Sequence, residues 1–533
     1  MSSNSLRLSS KTLAVIALLT PVWLWAATGR SPHKGNQWVL LQDIQGSEPS
    51  RHISPDPVSG DWIAEADIVS AGEPAEAAFI FAIQQEHQTH LALNIHIDRT
   101  ELTRYTPVGA MSLAVYPGVG PPPWRTKVRR RGAYYFFEVN GIYLGFTFHP
   151  SGDLDSSSIT PSVVEPEVAR MGVHFPSSGG HELRKLWVST ISFGKRTGTP
   201  VITPGPPASW NQAEAFPGAV IEYRGTYYLY LNGTDWTSKA LEGGGHTRVG
   251  MATSQDMIRW KVDSGGTILG LGPKGSWDST LVMVNGATRT AEGKFAVTYM
   301  GFDGKKWSGI GLATADHPAG PFTKWAGNPV LTTVNNSWET VIHEHTLYHD
   351  KDKYILFYTG FDGKNGDRGG LAYSRDLIHW TKDPSNPVFV PEGPSRWDSL
   401  HIRPRTLFQH GEYFYLFYEG AGMRPKFSKN EGGVEVEGTL VFDSVGLARS
   451  KDLHYWERFP WNPAIAQTGE KSFDALWTGW PHAVPLGESV IVLYAASDAW
   501  GFARKQGRVY TGLVRFDVQE LENWGRSTST NGK

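Results

Sequence analysis

Apolar and polar positions in the second half of the chain follow a pattern that occurs five times. Each copy opens with an aromatic residue and then a polar one; the pairs are Trp210-Asn211, Trp277-Asp278, Trp338-Glu339, Trp397-Asp398 and Phe473-Asp474. An apolar, aromatic run such as residues 353–358 follows, and then a segment led by glycine, such as residues 370–372. Runs that are apolar on both faces predict strands buried between two neighbouring sheets.

The length of the repeat predicts the fold. Copies lie roughly 60–75 residues apart and contain strand signals only, which is typical of the blades of a β-propeller. Serine and aspartate residues precede Trp260, Trp380 and Trp456, and their side chains can bond to the backbone of a tight turn. We therefore predict an all-β chain in which residues 197–525 form a five-bladed β-propeller.

The sequence also predicts how the ring closes. A proline followed by two apolar residues links successive copies at Pro329, Pro387 and Pro463, and a further such segment at Pro200 precedes the first copy. None follows the last copy, so we expect residues around Val201 to lie beside the last blade. A ring closed in this way has no exposed sheet edge.

The residues before the repeats are predicted to form a separate strand-rich unit over residues 36–196. It contains Asn140-Gly141, a strong hairpin signal, and ends in the alternating segment 186–191. This pattern predicts a β-sandwich, or jelly roll. It resembles the concanavalin-like modules found beside carbohydrate enzymes, which implies either support for the neighbouring unit, the interpretation we favour, or sugar binding.

A basic run at residues 125–131 contains five lysine or arginine residues. It would suit an acidic polysaccharide. The interpretation we favour is a solvated strand at the edge of a sheet, where charges discourage pairing with another sheet.

The N-terminal residues predict export. Arg7 and Lys11 precede an apolar run at residues 13–27, which is the layout of a signal peptide and is short for a membrane span of about 20 residues. The cleavage site around Ala26 and Ala27 is weak, so an uncleaved membrane anchor stays an alternative. We predict a signal peptide or anchor with a linker over residues 1–35, a secreted or periplasmic protein, and a disordered tail at 526–533.

Charge and cysteine content limit the functions to consider. A formal charge of −2 argues against nucleic acid or an anionic membrane surface as a partner. The chain has 0 cysteines, which excludes disulfides, thiol catalysis and zinc–thiolate sites. The oligomeric state is not fixed by the sequence.

Candidate chemistry is expected where one copy departs from the others, because a residue present in every copy is expected to be scaffold. By this criterion we favour a scaffold role over a catalytic role for the carboxylates that follow the aromatic residues, Asp278 among them. The departures on the first strands are Glu214, Asn285, His343, Glu344, His345, His401, Arg403, Arg405, Trp477, Trp480 and His482. Carboxylates, basic side chains and indole rings that converge on one axis suit a sugar.

Residues 344–348, followed by the aromatic run 353–358, resemble the start of the third blade in five-bladed propeller glycoside hydrolases. That group includes family 43 arabinanases and xylosidases, with invertases and neoagaro-oligosaccharide hydrolases as relatives. The resemblance covers residues 199–525 and implies that Glu344 is the general acid. The neoagaro-oligosaccharide group uses a histidine as its acid, which implies a share in that task for His343 or His345.

The rest of the catalytic pattern of family 43 is missing. Phe216 stands before a proline where the family has its base aspartate, and Asn285 stands near the position of the second-blade aspartate. We therefore expect Glu214 to be the second carboxylate, with Asp278 behind it. The residues predicted to bind substrate are Asn285, His343, His401, Arg403, Arg405, Trp477, Trp480 and His482.

Strand alternation predicts that His343 and His345 lie on one side of their strand and Glu344 on the other. We expect that the protein requires no cofactor. His343 and His345, together with His401 or His482, could bind a structural divalent ion in the channel. The leading hypothesis is an exported glycoside hydrolase that acts on a polysaccharide or its oligosaccharides. The alternatives are a non-catalytic carbohydrate-binding propeller, a sialidase-like enzyme and a phosphorolytic enzyme, and the polar cluster could also be a hydrogen-bonded plug of the channel.

Overall fold

The computed structural model describes residues 39–524, except 42–43, 47–49, 54–57, 60, 71–74, 85–88, 107–108, 149–167, 176–180, 191–192, 236–246, 394–395, 423–442, 469–471 and 499–507. The predictions for residues 1–35 and 526–533 lie outside this part of the chain. Secondary structure in the described residues is nearly all β, with one short helix, α1 (Val518–Glu522), after the last strand. Within these residues, no helix is long and apolar enough to cross a membrane.

The first part of the chain folds into two antiparallel, seven-stranded sheets. Its strands are β1 (Val39–Leu41), β2 (Ile44–Gly46), β3 (Ser50–Ile53), β4 (Val58–Ser59), β5 (Trp62–Ser70), β6 (Glu76–Gln84), β7 (Thr89–His96), β8 (Arg99–Thr106), β9 (Gly109–Pro117), β10 (Trp124–Arg131), β11 (Tyr134–Val139), β12 (Ile142–Phe148), β13 (Val168–Phe175) and β14 (His181–Thr190). One sheet has the order β1-β14-β5-β10-β11-β12, with β2 beside β14; the other has the order β3-β13-β6-β7-β8-β9, with β4 beside β13.

The two sheets share one hydrophobic core, because alternate residues of each strand point inward. Trp62 and Ile68 of β5 lie in the same buried cluster as Phe79 and Phe81 of β6, which belongs to the other sheet. The predicted hairpin is confirmed. Val139 pairs with Ile142 across Asn140-Gly141, whose φ angles of 52° and 76° fit the two-residue turn that matches strand twist.

The second part of the chain contains twenty-one strands among the described residues. They are β15 (Lys195–Arg196), β16 (Glu214–Tyr223), β17 (Thr226–Thr234), β18 (Thr247–Ser254), β19 (Lys261–Val262), β20 (Leu281–Arg289), β21 (Phe295–Phe302), β22 (Trp307–Ala315), β23 (Thr323–Lys324), β24 (Leu331–Thr332), β25 (Val341–Asp350), β26 (Lys353–Phe361), β27 (Arg368–Ser374), β28 (Thr381–Lys382), β29 (His401–His410), β30 (Tyr413–Ala421), β31 (Ser444–Ser450), β32 (Glu457–Arg458), β33 (Trp477–Leu486), β34 (Ser489–Ser497) and β35 (Tyr510–Asp517).

These strands repeat one arrangement of three long antiparallel strands and a short fourth one. The groups are β16–β19, β20–β23, β25–β28, β29–β32, and β33–β35 with β15, and we call them repeat units 1 to 5; β24 pairs in addition with β22. The first strands contact one another in the order β16, β20, β25, β29, β33 and back to β16. We call these five strands the central ring.

The chain just before unit 1 completes unit 5. Strand β15 pairs with β35, and the Val201 amide donates to the Thr511 carbonyl at 2.8 Å. The prediction that residues around Val201 lie beside the last repeat is confirmed. The start and the end of the repeat region are therefore joined by backbone hydrogen bonds.

The aromatic and polar pair that opens each copy is part of the scaffold. A Cβ atom on Gly301 of β21 would lie 2.4 Å from the Trp277 ring, so the glycine makes room for the indole. Asp278 accepts hydrogen bonds from the Tyr299 hydroxyl at 3.2 Å and from Lys324 Nζ at 2.5 Å. The same carboxylate–tyrosine–cation set occurs in units 3, 4 and 5 as Glu339–Tyr358–Lys382, Asp398–Tyr418–Arg458 and Asp474–Tyr494–Arg196.

Unit 1 lacks this set as a whole. Asn211, Leu231 and Val262 stand at the register positions that the carboxylate, the tyrosine and the cation occupy in the other units. The carboxylate, the tyrosine and the cation are thus present or absent together, as expected for buried groups whose hydrogen bonds and charges are satisfied by one another.

The favoured interpretation of the basic run is wrong, because β10 lies between β5 and β11 and is not an edge. Arg131 donates to the carbonyls of Pro463 and Ala464 at 2.9 and 2.7 Å and pairs with Asp61 at 2.6 Å. Arg129 donates to the carbonyls of Pro460 and Asn462. The arginines hold the segment that leads into unit 5, where backbone carbonyls accept their hydrogen bonds.

Candidate active site

Every strand of the central ring is interrupted by a β-bulge. The residues without a partner on the second strand are Gly218, Asn285, His343-Glu344, Arg405 and Trp480-Pro481, in units 1 to 5. A bulge bends its strand and changes the direction of the side chains. Five of the predicted site residues therefore stand at equivalent positions, where the regular ladder is broken.

Glu344 and His343 share the bulge of unit 3. Glu344 is 7% exposed, and its Oε2 atom lies against His343 Nδ1 without a hydrogen-bond partner in the described residues. His343 Nε2 lies 3.5 Å from Asp367 Oδ1. Burial lowers the pKa of His343, which favours the neutral ring beside the Glu344 carboxyl group.

The predicted alternation of His343, Glu344 and His345 is wrong, because the bulge breaks the two-residue period at this point. His345 Nε2 lies 3.0 Å from Thr298 Oγ1 of unit 2 and the ring is fully buried. Burial lowers the pKa of His345 to about 3, so the ring stays neutral. This placement between two units argues against the predicted share of His345 in acid catalysis.

Arg403 links carboxylates from two repeat units. Its Nε atom donates to Asp367 Oδ2 at 2.5 Å and its Nη1 atom to Glu419 Oε1 at 2.8 Å. Burial opposes the charge of the guanidinium, but these two carboxylates outweigh it and raise the pKa of Arg403. For Asp367, burial is outweighed by Arg403 and His343, which hold its pKa well below the usual range. Asp367 and Arg403 therefore stay ionised together.

His401 and Trp477 meet at one carboxylate. His401 Nε2 lies 2.7 Å from Asp443 Oδ1, and the Trp477 indole donates to Asp443 Oδ2 at 3.0 Å. Burial opposes ionisation of Asp443, but the hydrogen bond and charge of His401 outweigh it and lower the pKa of Asp443. Two residues predicted to bind substrate are thus oriented by a third that carries negative charge.

Arg405 and Trp480 form a stacked pair. The Arg405 guanidinium carbon lies 3.5 Å from the centre of the Trp480 ring. The Nη1 atom of Arg405 has no partner in the described residues, and burial lowers the pKa of Arg405 to about 9. Trp480 has a φ of 49°, a left-handed conformation that is strained for a bulky residue, and its amide donates to Glu419 Oε2 at 3.0 Å.

His482 and Asn285 complete the polar positions. His482 Nε2 accepts a hydrogen bond from the Val220 amide at 2.9 Å, so its proton is on Nδ1. Burial lowers the pKa of His482 to about 4, and Nδ1 has no acceptor in the described residues. Asn285 is 4% exposed and its Oδ1 atom likewise has no donor there.

Glu214 lies at the first position of β16, which is equivalent by register to His401 and Trp477. It is 3% exposed. Burial raises the pKa of Glu214 to about 7, against the opposing effect of its hydrogen bond with Thr234. A carboxyl group with this pKa can give or take a proton near neutral pH. In the described residues, no hydrogen bond or ion pair joins Glu214 to Glu344.

The remaining wall of the central ring is apolar and aromatic. It comes from units 1, 2 and 5, and the buried cluster consists of Phe216, Leu281, Met283, Met300, Phe302, Trp477, Trp480, Ala495 and Val509. The two site arginines and the carboxylates Glu344, Asp367, Glu419 and Asp443 come from units 3 and 4, and Glu214 comes from unit 1. The ring therefore has a charged half and an aromatic half, an arrangement suited to a ligand with polar edges and apolar faces.

The donor atoms needed for the predicted divalent ion do not come together. His345 Nε2 is occupied by Thr298 Oγ1, and its Nδ1 atom lies 3.3 Å from the His343 carbonyl oxygen. Within the described part of the chain, one group, His401, Glu419 and Asp443, has ligand atoms within 4.8 Å of one another. Its atoms are already bonded to one another, to Arg403 and to the Trp480 amide, and the guanidinium 2.8 Å from Glu419 would repel a cation. Among the described residues, the donor atoms of this group are taken by protein partners and do not fit a divalent ion.

Three acidic residues of the site were missed in the sequence. Glu419 stands on the second strand of unit 4 where the other units have Asn232, Met300, Thr359 and Ala495. Asp367 and Asp443 directly precede the third strands of units 3 and 4. The comparison between copies that was applied to the first strands would have found Glu419 if it had been applied to the second strands.

Comparisons with known proteins give structural neighbours only. No protein-family model and no curated protein matches the chain. One similar structure is a complex of BT0996 with RGII, at 17% identity over 61% of this chain and 92% of that protein, with a TM-score of 0.46. Others are a putative glycoside hydrolase from Parabacteroides distasonis (16%, 61% and 96%, TM-score 0.45) and Zg3597, a family 117 glycoside hydrolase from Zobellia galactanivorans (18%, 61% and 91%, TM-score 0.43). At these values the likeness leaves the activity of this chain open.

Proposed function

We propose that this chain is an exported glycoside hydrolase in which a concanavalin-like β-sandwich precedes a five-bladed β-propeller. The cyclic contacts of five first strands support the propeller, and the core shared by two sheets supports the sandwich. Export rests on the basic and apolar layout of residues 7–27. The substrate would be a polysaccharide or its oligosaccharides.

The observation that carries the proposal is a set of buried polar atoms at or beside the bulges. Asn285 Oδ1 accepts hydrogen bonds, Arg405 Nη1 and His482 Nδ1 donate them, and these three atoms lack a hydrogen-bond partner in the described residues. Buried polar atoms are normally hydrogen-bonded, and leaving one unpaired costs about 1–3 kcal/mol. A hydroxyl group both donates and accepts, so a sugar can satisfy acceptors and donors in one place.

The adjacent aromatic half suits the other character of a sugar. The C–H faces of a pyranose are apolar and would pack beside Trp480, whose ring is backed by the fully buried Phe216 at 4.9 Å in an edge-to-face arrangement. A ligand bound there would have its hydroxyl edge toward the charged half.

In this proposal Glu344 protonates the leaving oxygen and Glu214 activates water. Glu344 stands at the bulge of unit 3 against His343, and Glu214 has a pKa of about 7, near the value that suits proton transfer in neutral solution. Asp278 is a weaker candidate, because its carboxylate is bonded to Tyr299 and Lys324. Asp367, held ionised by Arg403, would orient His343 beside Glu344.

Charge disfavours two of the alternatives. Arg403 is already paired with two carboxylates, Asp367 and Glu419, and the charge of a third, Asp443, acts on it as well. A sialic acid or a phosphate nucleophile would add negative charge to this place. Adding inorganic phosphate should therefore change neither the rate nor the product, which should be a free reducing sugar and not a sugar phosphate.

The test is a glycan panel with product analysis on the wild-type chain and on Glu344→Gln. We expect hydrolysis by the wild type, a loss of at least about 100-fold in kcat for Glu344→Gln, and retained sugar binding and folding. Glu292→Gln is the matched control, since Glu292 is exposed in the turn between β20 and β21. Equal rates for Glu344→Gln and wild type on a confirmed substrate would eliminate the assignment. Binding without turnover by the wild type would favour the non-catalytic alternative.

A further inference from the structure

Side chains from the two-sheet part of the chain share a buried cluster with residues of unit 4. Ala133, Tyr134 and Phe136 lie in one buried cluster with Trp397 and Ile402 of unit 4. Ile402 stands between His401 and Arg403, whose side chains belong to the candidate site. This cluster therefore joins the two-sheet part of the chain to the repeat unit that carries these two site residues.

Tyr134 also makes a polar contact across this interface. Its hydroxyl lies 2.9 Å from Ser444 Oγ in a buried position, and Ser444 Oγ bonds to Gln467 Oε1. The Ala133 amide donates to the Gln467 carbonyl at 2.9 Å. Ser444 is 0% exposed, so solvent cannot replace a lost partner.

Ser444 is the first residue of β31 and directly follows Asp443. Asp443 is the carboxylate that holds His401 on one oxygen and the Trp477 indole on the other. A shift at Ser444 would move Asp443, because the two are joined by one rigid peptide unit. The link Tyr134–Ser444–Asp443 therefore reaches two residues that we assign to substrate binding.

We propose that Tyr134 is a positioning residue of the candidate site. Through Ser444 it fixes the start of β31, and so it keeps Asp443 in place to hold His401 and Trp477. The two-sheet part of the chain is in this respect a component of the site as well as a support. The effect on turnover rests on the proposed function, whereas the effect on Asp443 and Trp477 does not.

A purely structural interface is the competing explanation, and the chain supplies a control for it. Arg129 comes from the same part of the chain and donates to the carbonyls of Pro460 and Asn462, on the segment leading into unit 5. In the described residues, Arg129 makes no hydrogen bond to a side chain of the site. Arg129→Gln should therefore weaken the interface without moving Asp443.

The test compares the full-length variants Tyr134→Phe, Ser444→Ala and Arg129→Gln with the wild type. The readout is the indole N–H NMR signal of Trp477, identified by its disappearance in Trp477→Phe. We expect an upfield shift of this signal in Tyr134→Phe and Ser444→Ala, because the hydrogen bond to Asp443 lengthens, and no shift in Arg129→Gln. If Tyr134→Phe does not fold, Ser444→Ala decides the question on the same link.

An unmoved Trp477 signal in the folded variants would overturn the proposal, and so would an equal shift in Arg129→Gln. On a confirmed substrate, Tyr134→Phe should raise KM about fivefold, equivalent to about 1 kcal/mol, with kcat within about twofold of the wild type. A chain without glycosidase activity would refute the proposed function and leave the NMR result to judge the positioning role. Equal losses in kcat with unchanged KM would contradict a role through His401 and Trp477.

Discussion

Replacing Glu214 by glutamine should stabilise the protein above neutral pH. Glu214 is 3% exposed, and its described interactions offer the carboxyl group one hydrogen bond, with Thr234, and no cation. Burial raises its pKa from 4.5 to about 7, so the native protein holds this proton more tightly than the unfolded chain. Glutamine has a similar shape and never ionises, so it removes the cost of burying a charge.

The sign and size follow from proton linkage. Below pH 4.5 the carboxyl group is neutral in both the native and the unfolded state, and its stabilising effect is fully present. As pH rises toward 7, the unfolded state ionises and the native state does not, so the free energy of unfolding of the wild type falls. Above pH 7 the loss levels off at about 3 kcal/mol, from about 1.4 kcal/mol for each unit between 4.5 and 7.

The measurement is urea denaturation of wild type and Glu214→Gln at several values between pH 4.5 and 8.5. All other titrating groups are common to both proteins and cancel in the difference, which should grow in favour of the variant as pH rises. Thr234→Val removes the hydrogen bond that opposes the shift, so it should move the midpoint of this pH dependence upward. A stability difference between wild type and Glu214→Gln that stays constant across this range would refute the buried, raised-pKa description of Glu214.

Further expectations concern the same site and its scaffold. If Glu214 takes part in catalysis, kcat/KM should change with an apparent pKa near 7, and Thr234→Val should raise this apparent pKa. A pH profile of kcat/KM without a transition near pH 7 would contradict the catalytic role of Glu214. Asp278→Asn should lower the free energy of unfolding by about 1–3 kcal/mol, because it weakens the hydrogen bonds of this side chain with Tyr299 and Lys324, and it should leave kcat within about twofold. A loss of kcat at unchanged stability would contradict the scaffold role of Asp278. Arg405→Ala should weaken sugar binding about tenfold by calorimetry, and Arg405→Lys should not restore it because an ammonium group lacks the plane that stacks on an indole; full rescue by lysine would argue against that contact.

The repeat scaffold could be predicted because it is local and occurs several times. The aromatic residue needs a glycine opposite its ring, and the carboxylate after it needs a tyrosine and a cation, so each copy shows the same spacing. Closure of the ring by residues around Val201 could be predicted because a linking segment precedes the first copy of the repeat and none follows the last copy. In the two-sheet part, the hairpin at Asn140-Gly141 could be predicted because two residues fix its turn geometry.

The neighbours of β10 could not be predicted in this way. A sequence shows which residues alternate along a strand but not what lies opposite them, so the pattern around Arg129 and Arg131 predicts surface charges. Their partners are backbone carbonyls more than 300 residues away, and a carbonyl has no residue identity to signal its presence. Charged residues that bind backbone at an interface look, in a sequence, the same as charged residues in solvent.

The directions in which the site side chains point depend on the β-bulges, and the sequence does not show where these bulges lie. Applied through the bulge, the two-residue period puts Glu344 and His343 on opposite sides, whereas the structure brings them into contact. Comparison between copies still located the right segments, because bulge residues are free of pairing and so can differ from copy to copy. It failed for Asp367, Glu419 and Asp443 because it was limited to the first strands.

The position of the polar site residues at the β-bulges affects the stability of the folded chain. The scaffold sets, such as Asp278 with Tyr299 and Lys324, satisfy their own charges within one unit. The site atoms Asn285 Oδ1 and Arg405 Nη1 are buried without a hydrogen-bond partner in the described residues, so they cost free energy that the scaffold must supply. A change that removes such an atom should be neutral or stabilising for folding even where it ends binding. In the proposed function, a ligand completes the hydrogen bonds of these atoms on the central ring.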